Sequence, residues 1–126
     1  MVVWQGRSKR KPTGGRLKRL RAKRRFEYGK EPAHTKISSE VKVKKIRTRA
    51  GHLKNRILNA VEANVFNGKK MIKTKLVNLE QNDANRHFKR SNIITKGAIV
   101  NTELGKIKVT NRPGQEGQVQ GILLKE

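Results

Sequence analysis

Cysteine is absent from the 126 residues, which excludes disulfides and any thiolate-held zinc or iron–sulfur centre. A small chain without disulfides fits a reducing compartment. Acids are scarce, nine Asp and Glu against 32 Lys and Arg. Glu27, Glu31, Glu40, Glu62, Glu80, Asp83, Glu103, Glu116 and Glu126 are scattered, and no two are spaced as a general acid and base. No serine has an evident His and Asp to orient it. The three histidines, His34, His52 and His87, lie far apart, and none has a second ligand at metal-binding spacing. Long apolar runs are missing too. None approaches the ~20 residues of a membrane-spanning helix, and Met1–Trp4 is too short for the apolar core of a signal peptide. These absences point away from an enzyme, a metalloprotein and a membrane protein, and leave no cofactor or small-molecule substrate to expect.

What remains is positive charge, +23 in formal terms. A chain so unbalanced repels itself and collects polyanions. Its distribution is uneven. Residues 1–30 hold twelve Lys and Arg against Glu27 alone, so under a quarter of the chain carries +11. The same stretch has few branched aliphatics, too few to offset the entropy of folding. It also has little to insert into lipid beyond Leu17, Leu20 and Phe26. The expectation is an arm, residues 1–35, that is disordered when free and orders on its partner, with a short helical turn within Leu17–Phe26.

Residues 36–126 read as a β body. Val41–Thr48 alternates apolar and charged residues, with a slip at Lys44–Lys45 that marks a bulge. Ile57–Phe66 places Ile57, Val61, Ala63 and Val65 on one face. Asn67-Gly68 follows, a type I′ hairpin signal, and Met71–Leu79 returns. Ile93–Val100, Ile107–Val109 and Val119–Leu124 complete about six short strands, so the expected fold is mainly β, a small antiparallel six-stranded barrel. The polar stretch Glu80–Ser91 reads as a loop.

Three basic clusters are candidate nucleic-acid contacts. In the arm they are Arg7, Lys9, Arg10, Lys11, Thr13, Gly14, Gly15, Arg16, Lys18, Arg19, Arg21, Lys23, Arg24, Arg25 and Lys30. Glycines let a backbone approach phosphate closely, and guanidinium groups grip phosphate bidentately or stack on bases. A flexible hinge is the alternative reading of Pro12–Gly15. The second cluster is Arg47, Arg49, His52, Lys54 and Arg56. The third is Arg86, Lys89 and Arg90 around Phe88, which either stacks on a base or anchors a loop. Trp4 and Tyr28 face the same choice.

Arg10, Thr13, Gly14 and Gly15, followed by Arg21, Lys23, Glu27 and Gly29, resemble the N-terminal pattern of the small-subunit ribosomal protein eight-e family of archaea and eukaryotes. Arg25, Tyr28 and Lys30 depart from that pattern. Arg47–Gly51 with Lys54 and Arg56 resembles a second family stretch, with Ala50 where glycine is more usual. The resemblance covers the whole chain and is to the short archaeal form. It implies a structural component of the small ribosomal subunit, cytoplasmic, with a barrel body and an arm threaded into ribosomal RNA. The implied partners are small-subunit ribosomal RNA and neighbouring ribosomal proteins. A ribosome-assembly factor or another architectural nucleic-acid-binding protein is the alternative.

Overall fold

A computed structural model describes residues 3–18 and 20–124. The chain divides into two compact units, residues 1–32 and 33–126. No helix among the described residues is long and apolar enough to cross a membrane.

In the first unit, β1 (Val3–Trp4) pairs antiparallel with β2 (Tyr28–Gly29), Trp4 opposite Tyr28. Their rings meet edge to face at 5.9 Å, a contact that ties the two strands together while leaving both rings partly exposed. A 3₁₀ turn over Arg25–Glu27 leads into β2. It overlaps the expected stretch Leu17–Phe26 only at Arg25 and Phe26, and the described residues from Leu17 to Arg24 are not helical.

The second unit contains β3 (Lys36–Ile37), β4 (Lys42–Arg47), β5 (Leu53–Ala60), β6 (Glu62–Phe66), β7 (Met71–Gln81), the one-turn helix α1 (His87–Arg90), β8 (Ile99–Thr102), β9 (Gly105–Val109), the one-turn helix α2 (Pro113–Glu116) and β10 (Gln120–Leu123). Strands β6 to β10 form a closed ring, and β3, β5 and β4 form a separate small sheet. The chain passes from one to the other at Val61, between β5 and β6.

The barrel therefore has five strands and not the six expected. The Val41–Thr48 run, counted towards the barrel, pairs with β5 outside the ring. Nor is the ring wholly antiparallel, since β10 runs parallel to β6 and antiparallel to β9. The parallel pair follows from parity. Strand directions cannot alternate all the way round a ring with an odd number of members, so one neighbouring pair must be parallel.

Inward residues at period two fill the ring: Ala63 and Val65 on β6, Val100 on β8, Ile107 and Val109 on β9, closed by Val119. On β7 the buried positions run Thr74, Leu76, then Leu79. This break in period matches a bulge between Leu76 and Asn78 that sets two β7 residues against one of β8. Ile107 is fully buried, and its truncation to alanine costs about 2–5 kcal/mol. Gly121 is needed where β10 meets β9, since a Cβ there would lie 3.0 Å from the Lys108 carbonyl oxygen.

Buried polar side chains tie the loops to this ring. Asn82 donates to the Ile93 carbonyl at 3.0 Å and accepts from the Ala84 N–H and the Thr95 hydroxyl. Asn111 donates to the Gln118 carbonyl and to Glu116, and accepts from the Gln120 N–H. The Thr35 hydroxyl donates to the Ile57 carbonyl at 2.7 Å. Such fully paired groups fix loop positions that apolar contacts alone leave open.

Other expectations are also corrected. The bulge falls where Lys42 and Val43 of β4 meet Asn59 and Ile57, so the extra residue is Leu58 of β5 and β4 has none at Lys44–Lys45. Glu80–Ser91 is not simply a loop, because β7 extends through Gln81 and α1 follows. The Asn67-Gly68 hairpin forms, but its closing pair is Phe66–Met71, leaving a four-residue loop with Asn67 N–H donating to the Lys70 carbonyl at 3.0 Å. Gly68 takes positive φ there and Asn67 does not, so this is not a two-residue type I′ turn. Ile57 and Val61 do not share one face with Ala63 and Val65. The buried positions shift from Ile57 to Ala60 before the chain turns into β6.

Candidate nucleic-acid interface

In the first unit the sequence Arg10–Arg16 folds into a small hairpin. Gly14 N–H donates to the Lys11 carbonyl at 2.9 Å, Lys11 N–H to the Gly15 carbonyl at 2.8 Å, and Leu17 N–H to the Lys9 carbonyl at 2.9 Å. Pro12 suits the second position of such a turn, and Gly14 takes φ +85°, which an L side chain resists. The Arg10 guanidinium donates to the Gly14 carbonyl at 2.8 Å. The spacing from Arg10 to Thr13-Gly14-Gly15 is thus a structural signature, with the arginine latching the turn whose tip Thr13 occupies. The hinge reading of Pro12–Gly15 does not hold, since the segment is a closed turn.

Around the hairpin, Arg7, Lys9, Arg10, Lys11, Arg16, Lys18, Arg21, Lys23, Arg24, Arg25 and Lys30 are all exposed, as are Thr13, Gly14 and Gly15. Arg19 lies outside the described residues. Glu27 organises part of this set. Its carboxylate accepts from the Arg24 N–H at 3.2 Å and pairs with Arg21 at 3.0 Å. The Arg24 backbone hydrogen bond, reinforced by the Arg21 and Arg24 charges, holds its pKa below the ordinary glutamate value. Arg21 also lies 5.2 Å from the Phe26 ring centre, and Lys23 lies 4.7 Å from that of Trp4. These contacts hold cations in place without neutralising most of them. A cleft of about 900 Å³ in this unit is bordered by Arg7, Lys9, Lys11, Arg16, Lys18, Arg21 and Lys23, with Trp4, Leu17 and Leu20 supplying apolar surface.

In the second unit, β4 and β5 form a ribbon without an acid anywhere from Val41 to Val61. Lys44 stands opposite Arg56, Ile46 opposite Lys54, and Arg47 opposite Leu53. By strand alternation Lys44, Lys54 and Arg56 share one face, and Lys45 and Arg47 share the other. Lys44 and Arg56 thus place two like charges directly across the ladder, an arrangement that costs stability in itself. Val43 and Leu53 are also exposed, and the outer ribbon meets solvent on both faces. At its tip the Thr48 N–H and hydroxyl both donate to the His52 carbonyl, at 2.7 and 2.9 Å. Arg49 and His52 are exposed there, and Lys54 and Arg56 are half-buried. Ala50 sits in the left-handed region at φ +59°, which explains why glycine suits that place.

The loop cluster Arg47–Arg56 is basic in sequence, and the ladder adds Lys42, Lys44 and Lys45 of β4 to the same ribbon. An absence of acids over 21 residues was the available signal. The third candidate cluster is divided between an anchor and exposed cations. Phe88 is half-buried and packs edge to face on His34 at 5.6 Å, so it anchors α1. Arg86, Lys89 and Arg90 are exposed around it. No three His, Asp or Glu side chains among the described residues gather as a metal-binding group.

The profile of a family described as Ribosomal protein S8e matches residues 4–124. The chain is also 46% identical, over 128 residues, to a protein of Methanococcus aeolicus described as small ribosomal subunit protein eS8. That alignment covers 100% of both chains.

Proposed function

The chain belongs to the ribosomal protein S8e family, and on that premise we propose that it is a structural component of the small ribosomal subunit, binding folded ribosomal RNA through its basic N-terminal residues and the basic ribbon and loops of its β body. As a ribosomal protein it is not an enzyme, and it works in the cytoplasm, in the ribosome. The relative's description as a small-subunit protein supports the choice of subunit. The observation that carries RNA binding is the first unit's surface. Every described Lys and Arg there is exposed, and Glu27 and Glu31 are the unit's only acids.

In this reading the N-terminal residues act as an arm and the barrel as its support. Folded RNA crowds phosphates into crevices, and cations placed among them relieve their repulsion while releasing condensed counterions. Hairpin 10–16 offers a narrow, latched tip for such a crevice. The β4–β5 ribbon presents cations on two faces, which suits the wide, shallow minor groove of A-form RNA better than its deep, narrow major groove. Dense cations with few base-reading groups among the described residues favour recognition of RNA by shape.

Competition binding tests the proposal. At ~150 mM salt, small-subunit RNA should displace random duplex DNA from the protein, and not the reverse. Equal affinity for the two would mean a general polyanion binder and would count against the proposal.

A further inference from the structure

The barrel's outer surface carries a feature outside the proposed RNA contacts. On β6, Val65 points into the core, so Phe66 points out. Phe66 stands opposite Met71 of β7 on one side and opposite Ile122 of β10 on the other. The three side chains form one transverse row across adjacent strands, 39%, 57% and 48% exposed respectively. Ile122 in turn stands opposite Lys108 of β9, and Lys69 and Lys70 lie in the hairpin loop beside Met71. No carboxylate among the described residues forms an ion pair with Lys69, Lys70 or Lys108.

We propose that this row is a docking surface for a segment of a partner protein that carries apolar side chains beside carboxylates. An aromatic, a methionine and an isoleucine in contact, rimmed by cations, have the make-up of the centre and edge of a protein–protein contact. RNA would satisfy the lysines but would leave Met71 and Ile122 against sugar and phosphate, forfeiting their burial. Strand addition is excluded as the mode, because each of the five barrel strands already has a neighbour on both sides. The partner therefore docks through side chains. Lys69 and Lys70 at one end and Lys108 at the other select for acid flanking the apolar anchors. The inference rests on the ribosomal reading only for where the partner is met.

The test uses the full chain with a photo-crosslinking phenylalanine analogue at position 66 or 122, assembled into small-subunit particles. The expected product is a crosslink to another protein of the particle, in a peptide with apolar residues next to Asp or Glu. A double variant, Phe66→Thr with Ile122→Thr, places a good strand former at both outward positions and leaves the core untouched. It should lose to the unmodified chain by about tenfold or more in competitive assembly, while affinity for naked small-subunit RNA changes less than about twofold. Crosslinks to RNA, to a basic peptide or to a second copy of this chain would overturn the proposal. So would a position 66 that stays open to solvent in the particle. Failure of RNA binding in the unmodified chain would instead undercut the function proposed above.

Discussion

Removal of residues 1–32 should uncouple RNA binding from folding. The cut takes twelve Lys and Arg and none of the buried core cluster, which lies between Ile57 and Val119. Each phosphate neutralised steepens the dependence of log affinity on log salt by about 0.9 for a duplex and about 0.7 for a single strand. If six to ten phosphates meet the full chain's N-terminal cations, deletion should flatten that slope by about 4–9. The full chain should lose about 10³–10⁵-fold in affinity between 50 and 200 mM salt, and the truncated chain far less. Fluorescence anisotropy on small-subunit RNA over a salt series gives both slopes, and circular dichroism reports whether the remaining body melts cooperatively. An unchanged slope would refute the assignment of phosphate contacts to residues 1–32. A truncated body that does not fold would show those residues to be part of its stability.

Ala50 pays for its left-handed backbone with roughly 1–2 kcal/mol of steric strain, while glycine there gives back about 0.4–1 kcal/mol in unfolded-state entropy. Ala50→Gly should therefore stabilise by about 0.5–1 kcal/mol, a rise of a few degrees in thermal midpoint, and a fall would contradict the strain argument. Gly117→Ala should do the opposite. Gly117 takes φ +78°, and an added Cβ would sit 2.7 Å from the Asn55 Cβ, so strain and overpacking together cost about 2–4 kcal/mol, read as a lower midpoint in urea. For Glu27, a folded pKa below the ordinary value means that its contribution is present above about pH 4.5 and is lost as pH falls through the lowered value. Trp4 fluorescence should follow that loss, because Trp4 pairs beside the Gln5 N–H that donates to the Glu27 carbonyl. In Glu27→Gln this acid transition should disappear, and its persistence would assign it to another group.

The β body was legible where one physical rule dominated. Alternation exposed β6 and β9, and Asn67-Gly68 marked the hairpin between β6 and β7, though not its loop length. What stayed hidden depends on contacts distant in sequence. Nothing local in Val41–Thr48 says that it pairs outside the ring, and nothing in Gln120–Leu123 says that its second neighbour is β6. The bulge at Leu76–Asn78 moves Leu79 into the core against the simple period, a choice made by β8. Asn82 and Asn111 looked like ordinary polar loop residues until their carbonyl partners were in place. Of the candidate interface, the charge clusters were plain from composition. The latch from Arg10 to Gly14 and the two-faced ribbon were not, since both need backbone geometry.

The parallel closure of β10 on β6 has a consequence for the order of events. It joins Gln120 to Asn64, a contact that waits until a long loop has been closed, and such non-local pairings are slow to form. The hairpin at Arg10–Arg16 needs only Lys11 and Gly15 to meet, a microsecond event. Local closure of Arg10–Arg16 therefore does not wait for closure of the barrel, so on the proposed function the hairpin is available to RNA before the body is complete.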